Sequence, residues 1–226
     1  MKKILLCGLV CLLFLPVVAL ADTVQFTGAS NNSGGVYTAP YDFTVNGTAN
    51  VPLMCDSFTN DIVSGESWTA TVHAITSGGT NGLYASPNSQ SLYDAAGLIY
   101  LGSQGIGPLA TYVGITNLSA GLANWAVWDL FDPGLTGGPS GVTSPFTFPA
   151  LTALDTAALG DVNSTNIGLL NADGVVIYTP VPNSQPQGDG TPQEFIGMSP
   201  VPEPASMLLL GSGLLGLAGA IKRKFC

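Results

Sequence analysis

The sequence predicts an α+β domain: a β-rich sandwich or partial barrel with about three helices packed on it, set between two terminal segments of different character. Three observations predict it. Runs of β-branched and aromatic residues fill the stretch from Asp22 to Ile75 and return at Gly174–Pro180. Apolar residues at helical spacing fill the middle of the chain. Clusters of Gly, Asn, Ser and Pro separate the runs, as turns require. Strands, then helices, then strands describe an α+β layer arrangement.

In order, Val24-Gln25-Phe26 opens the first strand, and Val36–Val45 alternates around Pro40. Val51–Phe58 (VPLMCDSF) is a buried strand. Trp68–Ile75 alternates with period two, placing Trp68, Ala70, Val72 and Ala74 on one face and Thr69, Thr71, His73 and Ile75 on the other. Asn31–Gly35, Asn46-Gly47 and Ser77–Gly82 are the turns between them. Ser91–Tyr100 is a helix that ends near Gly102. Ser119–Phe131 is a second, capped by Ser119 and so apolar that it leaves almost no polar face for water. Asp132-Pro133-Gly134 stops it, with Asp129 and Asp132 as helix-end and turn devices. Ala150–Leu159 is a third short helix. Gly174–Pro180 returns to strand, and Gln193–Gly197 (QEFIG) forms one last short strand.

The charge distribution limits function. All five Lys and Arg residues lie at the two ends of the chain: Lys2, Lys3, Lys222, Arg223 and Lys224. All fourteen carboxylates lie between them. No Lys or Arg ion pair can form inside the domain, and no nucleic-acid partner is expected, because nothing neutralises phosphate. An isopeptide cross-link within the domain is excluded for want of lysine. No calcium loop of the D-x-[DN]-x-[DN]-G type occurs, and His73, the one histidine, has no neighbour at metal-ligand spacing, so neither metal nor cofactor is expected. No G-x-S-x-G elbow supplies a serine nucleophile. The carboxylates permit acid–base pairs on paper, but no spacing singles one out for glycoside hydrolysis. The apolar neighbours of Trp68, Trp125 and Trp128 assign them to the core rather than to a sugar-stacking platform.

The ends carry address signals. Lys2 and Lys3 precede an apolar run from Ile4 to Val18, and Ala19-Leu20-Ala21 is an A-x-A cleavage site, so residues 1–21 read as a signal peptide and the exported domain as residues 22–198. Cys7 and Cys11 leave with the signal. At the other end, residues 199–204 form a linker containing Val201-Pro202-Glu203-Pro204, a stiff stretch in which proline removes donors and fixes φ. An uncharged apolar segment, Ala205–Ile221, follows at the short end of membrane-spanning length. Residues 222–226 form a tail whose Lys222-Arg223-Lys224 triplet stays cytoplasmic and sets the orientation.

These three parts in this order, over Val201–Cys226, resemble the PEP-CTERM family of exported Gram-negative proteins. The resemblance implies an exosortase-type membrane protease and the secretion machinery as partners, a membrane anchor before processing, and delivery to the cell surface or to an exopolysaccharide or biofilm matrix. With no catalytic constellation in the domain, the expected role is non-enzymatic, structural or binding; a polysaccharide-acting enzyme is the weaker reading.

Cys55 is the one thiol left in the exported part, in a strand context (Leu53, Met54, Phe58) that buries it. Its neighbour Asp56 raises the thiol pKa rather than activating it. Met54-Cys55-Asp56-Ser57-Phe58 and Asn124-Trp125-Ala126-Val127-Trp128, with Tyr93-Asp94-Ala95-Ala96 between them, resemble the thioester domains of bacterial surface adhesins. In those a strand Cys is bonded to the Gln of a T-Q-x-A-I-W motif. Here Asn124 falls where Gln belongs and Ala123 where Thr belongs. The resemblance therefore implies a thioester-like pair of Cys55 and Asn124 in a covalent adhesin, with a ring closed on a side chain one methylene shorter.

Overall fold

Two tight turns with left-handed backbone set the first half of the sheet. Gly34-Gly35 (φ 67° and 91°) joins β1 (Asp22–Ser33) to β2 (Val36–Val45), and Asn46-Gly47 (φ 49° and 83°) joins β2 to β3 (Thr48–Cys55). Positive φ at both central residues matches the twist of the flanking strands, which is why Gly and Asn occupy these positions. The computed structural model describes residues 21–60, 62–112, 119–136, 142–184 and 192–199. The expected signal segment up to residue 20, the sorting motif at 201–204, the apolar segment 205–221 and the basic triplet 222–224 lie outside them.

The sheet is completed by β4 (Ser67–Ala74), β5 (Val175–Pro180) and β6 (Phe195–Met198). All pairings are antiparallel, and the order β1-β2-β3-β6-β5-β4 closes on itself through β1 and β4. The expected sandwich or partial barrel is thus a closed six-stranded barrel. Closure comes from β1, whose register shifts between Phe26 and Gly28 and again between Ala29 and Asn31. Such bulges bend a strand, so the start of β1 pairs with β4 while its whole length pairs with β2. Strand periodicity carries no signal for that bend. Inside, Phe26, Tyr41, Phe43, Trp68 and Phe195 form an aromatic cluster with centroid separations of 4.7–6.1 Å.

Five helices occur among the described residues: α1 (Gly78–Asn81), α2 (Gln90–Ser103), α3 (Ala120–Phe131), α4 (Phe148–Gly160) and α5 (Ser164–Ala172). The expected helices are α2, α3 and α4. Helix α3 is buried from Leu122 to Leu130, and the Ser119 hydroxyl accepts from Leu122 N at 3.2 Å to cap it. Helix α5 was not expected because it buries only Leu170 and so carries no apolar stripe. It is started instead by Asn163, whose carboxamide oxygen accepts from Thr165 N and Asn166 N. The expected turn at Ser77–Gly82 contains α1, and Ile75, expected on the polar face of β4, is fully buried against Gly97. The strand expected over Val51–Phe58 starts at Thr48 and ends at Cys55. No helix among the described residues is long and apolar enough to cross a membrane.

Candidate functional site

The pairing of β3 with β6 builds the site. Cys55 lies opposite Phe195, and Asp56 N donates to Glu194 O at 3.3 Å just beyond the ladder. Antiparallel register then places Gln193 diagonally across from Cys55 on the same face, within reach of a long side chain. Cys55 Sγ is 3.2 Å from Gln193 Oε1 and 3.1 Å from Ser57 O, and it accepts from Ser57 N at 3.3 Å. Gln193 Nε2 donates to Asn60 O, which turns the amide carbonyl toward the sulfur. Cys55 is 0% exposed and Gln193 6%.

Burial pushes the Cys55 thiol well up, and the Asp56 carboxylate adds to it, as the sequence implied. The Trp128 indole N–H faces the sulfur without closing a hydrogen bond, and it has no other partner. The site is therefore a neutral thiol held against a neutral carboxamide in a buried position. The arrangement brings a thiol into contact with a side-chain amide, the two functional groups that a thioester joins.

Asn124 is not the partner of the sulfur. It is fully buried, its Oδ1 accepts from Ala39 N at 2.7 Å, and its Nδ2 donates to Cys55 O at 2.8 Å. Both polar ends are committed to backbone, so the expected Cys55–Asn124 pair is corrected: Asn124 clamps helix α3 to β2 and β3. Ala39 needs that clamp because β2 is irregular there. Pro40 has no N–H, and the ladder to β1 skips from Tyr41 to Thr38. The residue that reaches the sulfur, Gln193, opens the stretch expected as the last short strand. Its signal was the alternation that puts Gln193 and Phe195 on one face, but only the β3–β6 pairing joins that face to Cys55.

A cavity of about 540 Å³ opens beside the pair, lined by Tyr37, Ser57, Phe58, Asn60, Trp128 and Gln193 among others. Gln193 faces this cavity, with Cys55 behind it. On the opposite face of the two strands sit Asp56 and Glu194, both fully buried. Glu194 accepts from Tyr93 Oη and Leu83 N, each at 2.8 Å, and from the Thr179 hydroxyl. Burial first, and then Glu194, push the Asp56 carboxyl well above the usual range. A second carboxyl pair joins α4 to α3: burial and the Asp129 side chain raise Asp155 to about 8. Asp129 also accepts from Gly134 N at 2.8 Å and Asp132 from the Thr136 hydroxyl, the helix-end roles expected of them. Trp68, Trp125 and Trp128 are all buried, as expected of core residues. No group of three or more His, Cys, Asp and Glu among the described residues is placed to hold a metal ion.

Residues 200–224 match the family model of the PEP-CTERM protein-sorting motif. The chain carries a PEP-CTERM sorting motif. PEP-CTERM tails mark exported chains that an exosortase processes, and that assignment extends to this protein. The PEP-CTERM match stops at the tail and leaves the barrel domain unassigned. No curated protein matches the chain, and neither does any solved structure.

Proposed function

We propose that the exported domain of this PEP-CTERM protein is a covalent attachment module with a Cys55–Gln193 thioester. The observation that carries it is the contact of Cys55 Sγ with the Gln193 carboxamide, 3.2 Å from sulfur to Oε1, where Gln193 lines a cavity. In the forming step, Sγ adds to Gln193 Cδ, the Cδ–Nε2 bond breaks, and the thiol proton leaves with the nitrogen as ammonia. In the using step, an amine nitrogen adds to Cδ and the C–S bond breaks. Cys55 recovers its proton, and an amide links Gln193 to the acceptor. Each molecule reacts once, so the role is non-enzymatic: it fastens the sorted protein to what it meets at the cell surface or in an exopolysaccharide matrix. The tail supports delivery there, first anchored through residues 205–221 and then released near Pro202-Glu203-Pro204 by the exosortase.

A biotin-linked primary amine tests the proposal. The exported chain takes up the label at Gln193 and exposes a free thiol, while Cys55→Ala and Gln193→Ala take up none. Equal labelling of wild type and both variants, or none of wild type, overturns it.

A further inference from the structure

A cavity opens beside the Cys55–Gln193 pair, and its lining bears on which amine reaches Gln193. Behind it the Trp128 indole N–H is buried, faces Cys55 Sγ and has no other partner. A buried donor without a partner costs free energy, so groups of this kind mark where a ligand or a reacting carbonyl completes the set. Tyr37 lines the rest with an exposed ring, together with Asn32 and Asn60. An aromatic face beside polar residues matches a ring that is apolar on its faces and hydroxylated at its edge. The volume, about 540 Å³, is in the range of small-molecule sites.

The charge of the domain points the same way. All fourteen carboxylates and no Lys or Arg lie between the two end segments, so the exported surface is anionic even with Asp56, Asp94, Asp129, Asp155 and Glu194 buried. Such a field concentrates cationic polymers and repels anionic ones. The same composition keeps the domain from spending the electrophile on lysines of its sister copies.

We infer that the acceptor of the Cys55–Gln193 thioester is the free amine of an amino-sugar polymer, with one sugar ring seated in the cavity against Tyr37. This assignment rests on the thioester reading above. The sugar nitrogen adds to Gln193 Cδ, sulfur leaves to Cys55, the ammonium proton passes to the thiolate, and an N-acyl amino sugar results. The Trp128 N–H lies where charge develops on the departing sulfur, and donors placed at developing charge lower such barriers.

The test uses the full exported chain and two amine probes at equal amine concentration: a glucosamine oligomer and a lysine-containing peptide. The intact mass of the untreated chain first reports whether ammonia has been lost. A chain with its thioester couples to the glucosamine oligomer about tenfold faster than to the peptide, the size of one aromatic contact. Tyr37→Ala, at a residue 44% exposed and so safe for folding, removes most of that preference while leaving the rate with methylamine unchanged. A chain that has its thioester but prefers the lysine peptide, or keeps its sugar preference in Tyr37→Ala, overturns the acceptor assignment alone. A chain that retains its ammonia overturns both this assignment and the thioester.

Discussion

Replacing Asn124 by Ala removes a clamp whose cost can be worked from its two bonds. The native carboxamide satisfies Ala39 N–H at 2.7 Å and Cys55 C=O at 2.8 Å, with no exposed surface at Asn124 through which water could substitute. Each orphaned buried backbone group costs about 1–3 kcal/mol, so the pair costs about 2–6 kcal/mol. For a chain of this size each kcal/mol lowers the melting temperature by about 2–4 °C, which puts the midpoint for a 4 kcal/mol loss about 8–16 °C lower. Asn124→Asp keeps an acceptor for Ala39 N–H but turns an oxygen on Cys55 O, so it does not rescue. The assay is thermal and urea unfolding of wild type and both variants at one pH. A loss below about 1 kcal/mol for Asn124→Ala refutes the clamp. The same variant separates clamp from electrophile: folded at low temperature, it still loses ammonia between Cys55 and Gln193.

Three further outcomes follow from buried groups and from the tail. Asp155 is raised to about 8 in the fold against about 3.9 unfolded, so the folded state holds the extra proton between those values and stability falls as pH rises from about 4 to 8. Asp155→Asn flattens that fall, read as urea midpoints across the window; a slope unchanged by the substitution contradicts it. Gly78→Ala sets a Cβ into the Tyr93 ring, and Tyr93 is held by its bond to Glu194, so the variant melts at least several degrees lower, by about 1–3 kcal/mol or more. A melt superimposable on wild type shows that the ring yields. Replacing Pro202, Glu203 and Pro204 together by Ala leaves residues 205–226 on the mature protein, seen by mass in its native cells; continued removal of the tail places the cleavage determinant elsewhere.

Much of the fold was legible because its elements are locally consistent. The alternation of Trp68 and Ala70, the apolar run of α3 and the Asn46-Gly47 turn each specify their element from neighbouring residues alone. Barrel closure was not legible, since it depends on bulges in β1 that leave no periodic trace. Helix α5 was hidden by its polar start, where the cap at Asn163 rather than an apolar stripe defines it. At the site, Cys55 stood out by its chemistry and its burial was readable from Leu53, Met54 and Phe58. Its partner was not readable. Cys55 and Gln193 are far apart in sequence and meet only through the short β3–β6 ladder, whereas Asn124 sat in the more conspicuous motif and does structural work. The sorting tail was legible throughout because its function resides in linear sequence order.

Condensation of Cys55 with Gln193 is read from the intact mass of the exported protein, purified from its native cells without amine buffers. The expected chain begins at Asp22 and is lighter by one ammonia than its sequence requires. Methylamine then adds to it, and Gln193→Ala shows neither change. A mass equal to the full sequence, with an alkylatable Cys55 after unfolding and no gain with methylamine, contradicts it.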